Sequence, residues 1–109
     1  MDAFAAVAEP TRRRLLDQLL DGERSVGELV ERLEVSQPVV SKHLRVLRDA
    51  GLVRARIAAQ RRCYRLEPAG LATIESWLEA YRRAWARRLD ALEAHLERSD
   101  PQGSRGEVG

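Results

Sequence analysis

Apolar residues recur at helical spacing over most of the chain and with period two over one short stretch. Leucines three and four residues apart follow Pro10 and stop at Asp21-Gly22, which predicts a helix that begins at a proline and ends before a glycine. A short Ala-rich helix is predicted ahead of it, over residues 2–8. Ser25-Val26-Gly27-Glu28 has the spacing of a capping box, so another helix is expected to begin there.

A further helix is predicted from Ser36, a residue suited to the N-cap, to about Ala50, where Gly51 ends it. Its apolar residues fall on one face and its polar and basic residues on the other. Two short helices joined by a tight turn, the second with such a face, predict a helix-turn-helix, although an ordinary helical hairpin has the same period. The residues expected to meet DNA from this helix are Ser36, Gln37, Pro38, Ser41, Lys42 and Arg45.

The period-two stretch predicts a β-hairpin. Val53, Ala55 and Ile57 alternate with arginines, and a second alternating run extends from Arg61 to Leu66. A basic hairpin that follows a recognition helix is typical of a wing that grips phosphates and the minor groove, and Arg54, Arg61 and Arg62 are the expected contacts. The alternative is that these arginines only keep the hairpin soluble.

The last predicted helix runs from about Ala69-Gly70 to Ser99 and is the longest. At ~1.5 Å per residue it is too long for one small domain to cover, so its apolar stripe predicts a two-fold dimer. The alternative is that it folds wholly onto its own domain. The tail, residues 100–109, is polar and is expected to be disordered. The predicted dimer residues are Phe4, Leu71, Ile74, Leu78, Tyr81, Trp85, Leu89 and Leu92.

Charge is distributed unevenly. The chain has 109 residues and a net charge of +2, yet residues 36–66 alone carry +7, which favours a polyanionic partner over a merely solvated face. The length fits one domain over residues 1–99. No membrane span or signal peptide is visible, which predicts a cytoplasmic protein. One cysteine and two distant histidines offer no catalytic constellation, so an enzyme is not expected.

The segment from Ser36 to Val53, with its Ser-x-x-x-x-Ser-x-His-Leu spacing, resembles the signature of ArsR-type winged helix-turn-helix repressors. Glu9-Pro10-Thr11-Arg12 and Arg61 to Leu66 resemble other parts of that family, and the likeness covers about residues 3–97. The resemblance implies a mainly α fold with a small β-hairpin, in the order α-α-α-α-β-β-α. It also implies a homodimeric repressor that binds a double-stranded DNA operator and leaves it when a signal, such as a small-molecule inducer, binds.

The chain departs from the family where many members bind metals. Ser25 and Gly27 stand at the positions of the family's cysteine pair, and Asp90 lies five residues from His95, off its face of the helix, so the two are poor metal co-ligands and no metal or other cofactor is expected. Two alternatives stay open beside the repressor. One is a winged-helix module for protein–protein contact, and the other is a regulator that responds to a small molecule or to oxidation of Cys63.

Overall fold

The computed structural model describes residues 1–99, and the predicted disorder of residues 100–109 lies outside them. This part of the chain contains five helices and three short strands. In chain order the elements are α1 (Ala3–Val7), α2 (Pro10–Gln18), β1 (Arg24–Ser25), α3 (Val26–Leu33), α4 (Gln37–Asp49), β2 (Val53–Ala58), β3 (Arg61–Leu66) and α5 (Pro68–Ser99).

The predicted fold class is confirmed, because the protein is mainly helical with a small antiparallel sheet. The chain forms two compact units, one of residues 1–75 and one that begins at Ser76. The core of the first unit is built from buried apolar side chains of all four short helices and of the sheet. Its members include Ala6, Leu15, Leu29, Leu44, Leu47, Leu52 and Tyr64.

Local signals determine where the helices begin. Glu9 caps α2, since its carboxylate accepts a hydrogen bond of 2.9 Å from the backbone N–H of Arg12. The predicted capping box is present at α3, where Ser25 and Glu28 bond to each other's backbone N–H groups. The predicted end of α2 is wrong by about three residues. The helix stops at Gln18, so Leu20 leaves the apolar face and is 71% exposed.

The sheet has one more strand than the sequence predicts. Its order is β1-β3-β2, and all neighbours are antiparallel. The two-residue strand β1 pairs Arg24 with Tyr64 and Ser25 with Cys63. A strand this short has no periodicity to detect, because the alternation that marks a strand needs at least four residues.

The end of α4 is a Schellman motif. The N–H of Leu52 donates to the carbonyl of Leu47, and the N–H of Gly51 donates to the carbonyl of Arg48, while Gly51 adopts a left-handed φ of 80°. The start of α5 then packs directly on this turn. A Cβ on Gly70 would overlap the carbonyl oxygen of Gly51, so only glycine fits there.

The turn between β2 and β3 requires two left-handed residues. Ala59 and Gln60 have φ values of 49° and 66°, as in the two-residue turns that match the twist of a hairpin. Glycine or asparagine normally occupies such positions, because a Cβ disfavours the left-handed region by about 1–2 kcal/mol. The tip of the hairpin is therefore locally strained.

The three consecutive arginines of α2 serve the fold. The sequence leaves open whether they reach phosphates or pair with Asp17 or Glu9, but they donate to backbone carbonyls at helix ends. Arg12 is only 9% exposed, and its Nε donates to the carbonyl of Ala6 at 2.6 Å. Arg13 bonds the carbonyls of Val7 and Ala8, and Arg14 bonds that of Leu33, the last residue of α3. Such contacts satisfy acceptors that a helix leaves unpaired at its C-terminus.

Replacing Ala59 by glycine is expected to raise the free energy of unfolding by about 1 kcal/mol, because glycine adopts the left-handed conformation without strain. Ala58→Gly is the matched control. It lies one residue earlier in β2, and there glycine is expected to destabilise by roughly 0.5–1 kcal/mol. Thermal unfolding at fixed protein concentration measures both. Equal destabilisation by the two variants would contradict the left-handed turn.

Arg12→Ala is expected to lower the free energy of unfolding by about 2–3 kcal/mol, since the buried carbonyl of Ala6 loses its donor. Arg13→Ala is the control with similar contacts at an exposed position, and about 0.5 kcal/mol or less is expected because water replaces the lost donors. Urea unfolding distinguishes the two. A similar midpoint for both variants would mean that Arg12 is not a core residue.

Candidate nucleic-acid interface

Helix α4 has the two faces predicted for a recognition helix. Val40, Leu44 and Leu47 are fully buried in the core of the first unit. The opposite face projects from that core, and its side chains are exposed except for Ser41, which is half-buried. Burial of one face therefore presents the other as a rigid polar surface. The exposed residues of this surface are Gln37, Pro38, Lys42 and Arg45.

Ser36 occupies the N-cap of α4 as predicted, but it does not cap through its side chain. Its backbone is extended, and its carbonyl accepts the first helical hydrogen bond from Val40. The hydroxyl makes no capping bond. The side chain is exposed at the end of the helix that enters the major groove in helix-turn-helix proteins.

His43 attaches the recognition helix to α2. Its Nδ1 lies 3.3 Å from a guanidinium nitrogen of Arg12 and 3.9 Å from the carboxylate of Glu9. The ring is half-buried at the edge of the core face. These contacts agree with a packing role for His43, which orients the polar face without belonging to it.

Two of the three predicted wing arginines are engaged within the protein. Arg54 forms an ion pair with Glu67, immediately after β3. Arg61 donates a hydrogen bond of 2.8 Å to the hydroxyl of Ser25 on β1. Arg62 is exposed, and its side chain makes neither a hydrogen bond nor an ion pair with another described residue.

Arg56, which the sequence did not single out, makes the best-formed ion pair of the hairpin. Its Nε and one terminal nitrogen lie 2.6 and 2.7 Å from the two carboxylate oxygens of Glu23. This hydrogen-bonded fork holds the pKa of Glu23 below its usual value of 4.5 and raises the pKa of Arg56. Glu23 and Glu67 lie outside the +7 segment in sequence, so counting charges along the chain overstates the positive charge of the folded hairpin.

Four exposed cations of the +7 segment form no side-chain hydrogen bond or ion pair with any of residues 1–99, although Arg65 adds to the effect of Arg56 in lowering the pKa of Glu23. Two are on the recognition helix and two are on β3. Three of them are among the contacts predicted from the sequence; the fourth, Arg65, alternates with the buried Tyr64 and so faces away from the core. The four are Lys42, Arg45, Arg62 and Arg65.

The predicted dimer stripe of α5 divides between the two units. Leu71 and Ile74 are partly buried against the core of the first unit, so only the remaining part of each side chain is available to the predicted dimer interface. In the second unit the stripe is exposed, and Trp85 is 60% accessible. Its rings also contact neighbours: Trp77 packs 4.8 Å from Tyr81, and the Arg88 guanidinium lies 5.5 Å from the Trp85 ring. The predicted dimer residues that are exposed are Phe4 on α1 and, on α5, Leu78, Tyr81, Trp85, Leu89 and Leu92.

The described residues contain no cluster of three or more histidine, cysteine or acidic side chains that could hold a metal ion. Ser25 is buried and occupied by its capping box and by Arg61. Cys63 is half-buried on the sheet, and its Sγ lies 3.9 Å from the carbonyl of Arg61. No helix within residues 1–99 is long and apolar enough to cross a membrane.

Known proteins share this arrangement of helix-turn-helix and hairpin. Residues 9–55 match the family model described as "Bacterial regulatory protein, arsR family". The chain is 43% identical to HTH-type transcriptional regulator Rv2034 of Mycobacterium tuberculosis over 101 residues, 93% of this chain and 89% of that protein. It is 31% identical to transcriptional repressor SdpR of Bacillus subtilis, over 71% of this chain and 86% of that one.

A solved structure extends the likeness to the fold. The homodimeric winged helix-turn-helix DNA-binding domain of Mb0332 from Mycobacterium bovis, a fragment of residues 1–100, superimposes with a TM-score of 0.62 at 27% identity. The match covers 74% of this chain and 75% of that one. With its recognition helix and basic hairpin in place, the chain belongs to the ArsR family and is a DNA-binding transcriptional regulator.

Proposed function

We propose that this regulator is a homodimeric repressor that binds an inverted-repeat operator in the cytoplasm. The observation that carries the proposal is the exposed polar face of α4, whose cations Lys42 and Arg45 have no partner among the described residues. Unpaired cations beside short polar side chains suit a surface that meets phosphates and base edges together. Repression is supported by the likeness to SdpR, which is named a transcriptional repressor.

The side chains of α4 and of the hairpin would have different tasks. Gln37, Ser41, Lys42 and Arg45 would read base edges in the major groove, and Ser36 and Pro38 would lie against the backbone at the start of the helix. Arg62, free at the hairpin, would hold a phosphate or enter the minor groove. Arg54 and Arg61 would reach phosphates only by exchanging the partners they have in the free protein.

The exposed stripe of α5 supports dimerisation. Leu78, Tyr81, Trp85 and Leu89 present a contiguous apolar surface on one side of the helix, and such a surface is unfavourable in water. Burial against the same helix of a second copy would remove it and would place two recognition helices on one DNA duplex. The related domain of Mb0332 is homodimeric.

The signal that would release the operator is proposed to be something other than a metal ion. Ser25 and Gly27 offer no thiolate where the family's cysteine pair would be, and the hydroxyl of Ser25 already has two partners. A small-molecule inducer is consistent with this. Nothing in the proposed role requires catalysis.

Salt dependence and two arginine variants test the DNA surface. For six or more phosphate contacts per dimer, the plot of log affinity against log salt is expected to have a slope of about −5 or steeper. Arg45→Ala is expected to cost roughly 1–3 kcal/mol and to relax preference at one base pair per half-site. Arg62→Ala is expected to weaken operator and non-operator DNA by the same factor. Fluorescence anisotropy with operator and scrambled duplexes measures both effects.

A slope near zero would favour the alternative of a protein-contact module. Selectivity that is unchanged in both variants would mean that the reading face lies elsewhere on the protein. The operator itself is expected to be an inverted repeat with half-sites one helical turn, or a multiple of it, apart.

Trp85→Asp tests the dimer. An unpaired carboxylate in a buried apolar seam costs several kcal/mol, so the variant is expected to lose both the dimer and operator binding. Ala80→Asp is the matched control: it adds the same charge to α5 on the side away from the stripe, and both properties should be kept. Sedimentation velocity beside a DNA titration gives the two readouts. A Trp85→Asp protein that stays dimeric would refute the proposed interface.

A further inference from the structure

The outer face of the sheet carries more arginine than any other surface of the hairpin. Tyr64 and Val53 are buried on the inner face, so residues that alternate with them lie on the outer face. The register places Arg54 opposite Arg65 and Arg56 opposite Cys63. Like charges directly across two strands repel each other, so this face needs nearby negative charge.

Two glutamates supply that charge from the ends of the neighbouring strands. Glu23 immediately precedes β1 and binds Arg56, and Glu67 immediately follows β3 and binds Arg54. The glutamate side chains are the recessed members of the pairs, 26% and 22% exposed against 62% and 64% for their arginines. Glu67 is also fixed by its backbone, whose N–H donates to the carbonyl of Leu52 at 2.9 Å.

The two members of each ion pair differ in how accessible they are to a DNA phosphate. The carboxylates are recessed, whereas each arginine reaches its partner from the solvent side with an exposed guanidinium. Arg56 uses Nε and a terminal nitrogen on Glu23, and these are the donors that a guanidinium presents when it binds a phosphate as a fork. A given arginine cannot present that same edge to a carboxylate and to a phosphate at once.

We propose that Glu23 and Glu67 act as electrostatic brakes, which occupy Arg56 and Arg54 in the free protein and so hold down its sequence-independent affinity for DNA. The inference rests on the proposed DNA-binding surface and adds to it two acidic residues that set binding strength. Phosphate contacts carry no sequence information, so the brakes lower affinity for operator and non-operator duplexes by the same factor.

The test uses Glu23→Gln, Glu67→Gln and the double variant in the full chain. Each released arginine is expected to steepen the log–log salt slope by about 0.9, which is about 1.8 for the two copies in a dimer. Binding to a non-operator duplex at about 0.1 M salt is expected to tighten at least tenfold for each single variant. Glu79→Gln is the matched control, since it removes the same charge and also breaks an ion pair with an arginine, Arg83 of α5. Its affinity should stay within about twofold of the wild-type value.

A double-mutant cycle separates local release from net charge. Adding Arg56→Gln to Glu23→Gln is expected to cancel the gain, because the gain belongs to the freed guanidinium. Arg56→Gln alone should leave the log–log salt slope nearly unchanged, because a guanidinium that is occupied by Glu23 holds no phosphate, whereas Arg62→Gln should make the slope shallower by about 0.9 per copy. These two variants leave both glutamates in place, so they test the inference even if a glutamine variant fails to fold.

The outcomes distinguish this inference from the proposed function. An equal gain in affinity from Glu79→Gln, or a gain in affinity that persists without Arg56, would show that net charge causes the effect and would overturn the inference. Unchanged glutamine variants beside a salt-dependent wild type would overturn the brake and leave the operator-binding proposal standing. Absence of duplex binding by every protein, wild type included, would overturn both.

Discussion

The turn that ends the recognition helix is the constraint on which the rest of the first unit depends. Gly51 closes α4 with a left-handed residue, Leu52 continues into the core, and the carbonyl of Leu52 accepts the N–H of Glu67 at the start of α5. Because Gly70 packs directly on Gly51, one small volume determines the exit of the helix, the start of the hairpin and the start of α5. A larger residue at Gly70 would collide with the carbonyl of Gly51, and any other residue at Gly51 would strain the left-handed backbone.

Attachment at its C-terminal end and along its flank explains how a helix of 13 residues can present a rigid surface. At one end the Schellman motif fixes the backbone, and along its flank His43 is held by Arg12 and Glu9. The buried Arg12 in turn holds the end of α1. The orientation of Lys42 and Arg45 therefore depends on arginines and glycines that never approach the polar face, in addition to the apolar contacts of Leu44 and Leu47.

Much of the fold could be predicted because its signals are local. The capping box at Ser25, the two faces of α4 and the alternation of β2 and β3 lie within windows of a few residues, where periodicity and capping chemistry are informative. The long-range pairs could not be predicted in the same way. Arg56 on β2 and Glu23 before β1 are 33 residues apart. They meet only because β1 and β2 pair with the two sides of β3.

The same limit applies to charge in the candidate site. Arginine is read in sequence as a surface cation, yet Arg12 is a core residue because three backbone and ring acceptors surround it. Residues 36–66 carry a net charge of +7, but this number overstates the charge that is accessible to a partner, because carboxylates from outside the segment pair with its arginines. The chain thus separates charge that holds the protein together from charge that is available to a partner.

The position of β2 at the edge of the sheet has a consequence for solubility. An edge strand offers unpaired backbone groups to any other strand, and Val53, Ala55 and Ile57 give this one the composition of an aggregation-prone segment. Arg54 and Arg56 interrupt that segment at every second position, and long charged side chains on an edge strand disfavour an edge-to-edge pairing of two copies. The basic hairpin is therefore also protected against self-association, and a chain with a neutral hairpin would lose that protection along with its affinity for polyanions.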